Sequence, residues 1–146
     1  MPTMLGEPYS PLWRGSYPHM LAEDRPVWDR FLAENATLFD RVYYDVRLGG
    51  IWSTDPAYTE QMRLMYYNVS AKRIDALGEL KKEIWIIEVA AKPGLRALGQ
   101  LQTYMALWWE DPKINKPAVG ILVAQAIDDD LKRSLEFYGM RTRLVG

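Results

Sequence analysis

Two acids stand out against apolar surroundings. In the stretch KEIWIIEVAAKPG, residues 82–94, Glu88 interrupts a run of β-branched and aromatic residues, and Lys92 follows four positions later. Twelve residues separate Glu88 from an earlier acid, Asp75, which closes the tripeptide RID. Two carboxylates on neighbouring strands repel, and one of them holds its proton more tightly unless a cation lies between them. Mg²⁺ suits such a pair, because it takes one or two protein carboxylates and keeps its waters for a phosphate-bearing substrate. A plainer reading stands beside this one: Asp75 and Glu88 each form a structural ion pair with Arg73, Lys72 or Lys92.

Composition removes several other chemistries. The chain of 146 residues has no cysteine, which excludes disulfides, thiolate zinc sites and a cysteine nucleophile. A single histidine, His19, excludes a multi-histidine metal site and reads as a surface residue. Net charge is −1 and the pI is near 5.9, so the chain lacks the overall basic character of a strong nucleic-acid binder, although a local patch is compatible with it. The Asp128–Asp130 run reads as acids at a helix start, which need no metal. Gly49-Gly50 lacks phosphate-loop spacing. The opening MPTMLGEPYSPLW has neither the cationic region nor the apolar core of a signal peptide, and no apolar run approaches the ~18 residues that span a bilayer. The expectation is a protein with no membrane association, cytoplasmic or carried in a virion and not secreted, in which the glycosylation patterns at Asn35 and Asn68 are chance matches.

The elements that must hold the acids follow from hydrophobic period. Residues 1–22 carry Pro2, Pro8, Pro11 and Pro18 among Tyr9, Trp13 and Tyr17 with no helical or strand period, and read as an extended arm that packs either on its own domain or on a neighbour. A first helix over residues 24–38 opens at Asp24, as its cap, with Pro26 in the first turn and Val27, Trp28, Phe31, Leu32, Leu38 and Phe39 at helical spacing. A strand follows in which Val42, Tyr44, Val46 and Leu48 share one face. Residues 51–62 read as a loop or irregular insertion. A second strand covers residues 68–80, a turn spans 78–82, and EIWIIEVAA is a third strand. Pro93-Gly94 precedes a helix with Leu95, Leu98, Leu101, Met105 and Trp108 in register. AVGILVAQ is a strand buried on both faces, a helix capped by Asp128 ends at Gly139, and MRTRLV is a last short strand. The expected fold is α/β in the order αβββαβαβ: a mixed sheet, with a β-meander followed by parallel strands on helical crossovers, flanked by helices and preceded by the arm. Period two puts Glu88 and Ala90 on one face of the third strand, and Asp75 with Arg73 and Leu77 on one face of the second.

With Asp75 in RID, Glu88 in IIEVA, and Gln100 and Tyr104 spaced Gln-x-x-x-Tyr in the next helix, residues 24–145 resemble the PD-(D/E)XK nuclease superfamily, in its RecB-like branch. The resemblance implies a restriction-endonuclease-like domain over residues 23–146. It also implies Mg²⁺ held by Asp75 and Glu88, a site shaped by Gln100 and Tyr104, and an auxiliary acid on the first helix at Glu34. The departure is Ala90, which stands where the family's lysine orients the attacking water. Lys92, one strand repeat further on, is the candidate replacement. Gln100 and Tyr104 also fit the polar edge of a buried helix, and Trp108-Trp109 reads as core and rim.

Two functions follow as expectations. In the first, the protein is a catalytically incomplete nuclease fold that serves as a binding or assembly module. A viral particle or connector component would be such a module, docking on protein neighbours through Tyr9, Trp13 and Tyr17. In the second, it is a Mg²⁺-dependent DNA nuclease in which Lys92 replaces the motif lysine and Lys72, Arg73, Lys81 and Lys82 touch the DNA backbone.

Overall fold

A computed structural model of the protein describes residues 3–146. Among them, six strands form one sheet and four helices flank it, in the sequence β1 (Pro8–Tyr9), α1 (Arg25–Glu34), β2 (Arg41–Leu48), α2 (Glu60–Ser70), β3 (Lys72–Glu79), β4 (Ile84–Ala90), α3 (Arg96–Glu110), β5 (Ala118–Ala124), α4 (Asp129–Phe137) and β6 (Arg141–Leu144). The strands lie in the sheet in chain order. β1 to β4 pair antiparallel, and β5 and β6 join in parallel through the crossovers that α3 and α4 provide. This is the expected mixed α/β sheet, a meander followed by parallel crossovers. No helix among the described residues is long and apolar enough to cross a membrane.

Each face of the sheet has its own core. On one face α1 buries Val27, Trp28, Phe31 and Leu32 against Val42, Tyr44, Ala76, Trp85, Ile87 and Val89. On the other, α3 and α4 bury Leu101, Tyr104, Trp108, Leu131 and Leu135 against Val46, Leu48, Ile74, Leu77, Ile84 and Ile86. Full burial of each such aliphatic or aromatic side chain contributes about 1.5–3 kcal/mol.

Three local readings are corrected. Residues 60–70 are a helix, not a loop running into a strand. Thr59 caps it, its Oγ1 accepting the Met62 amide at 3.1 Å, and β3 starts only at Lys72. The β3–β4 turn lies at 80–83, where the Leu80 amide donates to the Glu83 carbonyl. Gly78 is inside β3, paired with Trp85, and the Phe39 ring fills the space its Cβ would take.

The third correction concerns faces. Val42 and Tyr44 face α1, but Val46 and Leu48 face α3; in β3, Ala76 faces α1 while Ile74 and Leu77 face α3. Both strands change face at one level. The ladder runs Tyr44↔Ala76 and then Val46↔Ile74, omitting Asp45 and Asp75. Asp45 has φ 53, the left-handed region that Asp tolerates better than most residues. Arg73 holds it there, donating through Nε and Nη2 to the two Asp45 oxygens at 2.7 Å each. Arg73, Asp75 and Leu77 therefore do not share one face as simple alternation predicts.

Of the two readings of the arm, the structure shows the one in which it folds back on its own domain. β1 pairs with the free edge of β2, and Met4 bridges Arg47. Tyr17 is 1% exposed and stacks on Tyr44 with ring centroids 5.0 Å apart. Trp13 meets Tyr17 edge-on at 5.3 Å, and Tyr9 lies 4.6 Å from Trp13. The three aromatics expected to seek a partner thus cover the part of the sheet around Tyr44 beside α1.

Candidate active site

The cleft forms where β3 and β4 separate. Their ladder ends at Ala76↔Ile87. Beyond it, the amides of Val89 in β4 and of Ala91 just past its end find carboxylates instead of a strand. Val89 donates to Asp75 Oδ2 and Ala91 to Asp24 Oδ1, each at 3.0 Å. Buried amides need acceptors, so two acids stand in for missing strand partners and are fixed by doing so. The resulting opening has a volume of about 840 Å³.

Glu88 lies between these two acids, 7% exposed, with Oε2 buried and lacking a hydrogen-bond partner. Burial pushes its carboxyl far above the ordinary glutamate value; the hydrogen bond with Asp75 and the charges of Asp75 and Asp24 push the same way, and Arg96 opposes them. Burial also raises Asp24, against the Ala91 amide, which lowers it. The Tyr104 hydroxyl is raised by burial and then by the charges of Glu88 and Asp75, with Arg96 and Gln100 opposing. Tyr104 therefore stays protonated at neutral pH and can donate a hydrogen bond into the cleft.

The expected residues largely converge. Asp75, Glu88, Lys92, Gln100 and Tyr104 all line the opening, as does Ala90. β4 ends at Ala90, so Lys92 reaches the cleft from the bend that follows. The ion-pair reading does not hold among the described residues: Arg73 is taken by Asp45, Lys72 reaches only the Ser70 carbonyl, and no cation lies within 4.0 Å of Asp75 or Glu88. Glu34 is exposed at the far end of α1, and the acid that α1 brings is Asp24. Asp24 was expected as a helix cap, yet its side chain makes no cap hydrogen bond and turns to β4. Lys81 and Lys82 sit at the 80–83 turn, roughly 20 Å of strand away from Glu88, and cannot serve the same phosphate.

Sequence reasoning missed Asp24, Arg96 and the part played by His19. The arm returns to the cleft through His19, Leu21 and Glu23, with His19 at φ 63 where the chain turns toward α1. The Pro93-Gly94 break before Arg96 was the available signal, since it places the first residue of α3 beside the end of β4.

Among the described residues no group of three or more His, Asp or Glu side chains is arranged as a complete metal cage. A two-carboxylate Mg²⁺ site does not require one. Asp75 and Glu88 fit such an ion in one concrete respect: the orphaned Oε2 is a buried acceptor awaiting a positive partner. Comparison with protein-family models, with curated proteins and with solved structures finds no match for this chain.

Proposed function

We propose that the protein is a slow, divalent-metal-dependent phosphodiesterase acting on nucleic acid, of PD-(D/E)XK type. The observation that carries this reading is the Asp75–Glu88 pair, which meets at the mouth of a separated strand pair with one buried oxygen unsatisfied. Two anions and a proton are a poor resting arrangement for a structural feature, and a good one for exchanging the proton against a cation. Asp75 and Glu88 would hold the ion, with Asp24 adding negative charge behind them. In such a site Mg²⁺ supplies a bound water of lowered pKa and positive charge for the phosphoryl oxygens.

The chain's own residues account for the rest. Lys92 and Arg96 flank the carboxylates on the open side and would attract and orient a substrate phosphate. Tyr104 would offer a neutral donor. The opening is of a size that takes a nucleotide unit rather than a lone phosphate. Ala90 contributes only a methyl group, so no preorganised cation stands on β4 beside the reacting phosphate. Loss of such a group typically costs about 10²–10³ in rate, which is why the proposed activity is slow.

The test is cleavage of supercoiled plasmid and a single-stranded oligonucleotide with Mg²⁺ or Mn²⁺. Slow nicking is expected, and Asp75→Ala should remove it while the protein stays folded. No cutting with either metal, together with no Mn²⁺ binding by calorimetry, overturns the reading. A non-catalytic assembly role draws its support from the outer face of α2 rather than from the arm.

A further inference from the structure

Helix α2 is amphipathic in the wrong direction. Its buried residue, Tyr67, faces the domain and meets Trp52 with ring centroids 6.1 Å apart. The polar contacts lie on the same side or its flanks. Arg63 donates to the Ser53 and Asp55 carbonyls, and Asn68 accepts from Arg47. On the opposite side Met62, Met65, Tyr66 and Val69 recur at helical spacing and are 45, 62, 42 and 78% exposed. Soluble helices normally turn such a stripe inward. Ile51, 48% exposed, extends it, since its amide donates to Ser70 Oγ at the end of the helix. Together these side chains form an apolar patch of roughly 500 Å², at the size where patches on monomers mark interaction sites.

We infer that this face is the contact between two copies of the chain, paired through antiparallel α2 helices about a two-fold axis. The stripe is complementary to itself. Its centre falls at Met65 and Tyr66, the middle of the helix, so a two-fold axis there sets Met62 against Val69 of the partner subunit and the reverse. No charged side chain interrupts it, and a net charge of −1 sets up little repulsion between copies. Antiparallel helix dipoles are also favourable. The patch supplies more than half of the ~800 Å² per partner that a standard interface buries, the size of a weak, concentration-dependent contact. A membrane surface fits less well, because α2 carries a single cationic residue, Arg63, which is engaged by Ser53, Asp55 and Glu60 rather than offered to lipid headgroups.

Sedimentation equilibrium of the full chain over micromolar to submillimolar concentrations tests the inference. A reversible dimer is expected, which Met65→Glu weakens at least about tenfold, by burying a charge in the seam. Val69→Lys should do the same, and circular dichroism should show both variants folded. The chain has no cysteine, so Met65→Cys introduces a single thiol, and near the axis it should link two copies on mild oxidation. A monomer at every concentration overturns the inference. So does a dimer that both charged variants leave intact, and so does a monomer that floats with phosphatidylglycerol–phosphatidylcholine vesicles.

Discussion

Asp24 and Ala91 are 67 positions apart in the chain, and the carboxylate of the first accepts the amide of the second at 3.0 Å. The bond ties the start of α1 to the end of β4 and sets one wall of the cleft. Asp24→Ala leaves the Ala91 amide without its acceptor, which should cost about 1–3 kcal/mol of stability in urea unfolding. Glu34→Ala, at the exposed end of the same helix, should be neutral within experimental error. Equal effects from the two would mean that Asp24 acts only through the helix.

Glu88 makes stability depend on pH in a direction opposite to that of an ordinary surface acid. Its folded-state pKa is raised above the unfolded value of 4.5, so the folded chain keeps a proton that the unfolded chain releases. Stability should therefore fall as pH rises from about 4.5 through neutral. The raised pKa of Asp24 adds a contribution of the same sign. Glu88→Gln should flatten most of this slope and make the metal-free protein more stable than wild type near neutral pH. Thermal melts of the two proteins across that range are the measurement.

Ala90 lies on the cleft wall and is partly exposed, so there is room for a longer side chain. Ala90→Lys should place an ammonium group beside Asp75 and Glu88 and raise the rate of nicking by about 10²–10³-fold. The gain should vanish in the Asp75→Ala background. A plasmid assay with all four proteins reads it, and an unchanged rate for Ala90→Lys would count against a reaction at this face of β4.

Tyr17 was expected to anchor a partner and instead carries part of the core. Tyr17→Ala should destabilise the isolated protein by about 3 kcal/mol, as for other fully buried aromatics. Tyr17→Phe, which loses only the hydrogen bond from its hydroxyl to Asp29, should cost less. A stable, folded Tyr17→Ala variant would return the arm to the role of a docking segment.

The sheet was legible because its signals are redundant. Strands β4 and β5 are rich in β-branched residues (Ile84, Ile86, Ile87 and Val89; Val119, Ile121 and Val123), and the two crossovers dictate parallel pairing. The convergence of Asp75 and Glu88 was legible for the same reason, since a short turn between adjacent strands leaves them little choice. Two features were not. Asp45 reads as one more outward residue of an alternating strand; only its pairing with Arg73, 28 positions on, shows that the alternation breaks there. Asp24 has the position and residue type of a helix cap, and nothing local reveals that a distant amide competes for its carboxylate and wins. The arm's place was left open by composition, because proline and aromatics in irregular chain look the same whether they cover the chain's own sheet or another molecule. The helix at 60–70 was visible in the spacing of Met62, Met65, Tyr66 and Val69, but that stripe lies outside the core and so did not weigh as a core pattern.

The shared change of face at Asp45 and Asp75 bears on how this strand pair tolerates changes in length. Removing one residue from β2 beyond Asp45 would rotate Val46 and Leu48 out of their core while Ile74, across the ladder, stayed in it. A matching loss from β3 before Asp75 would restore the agreement. Related chains that trim or extend the outer half of this strand pair should do so in both strands together.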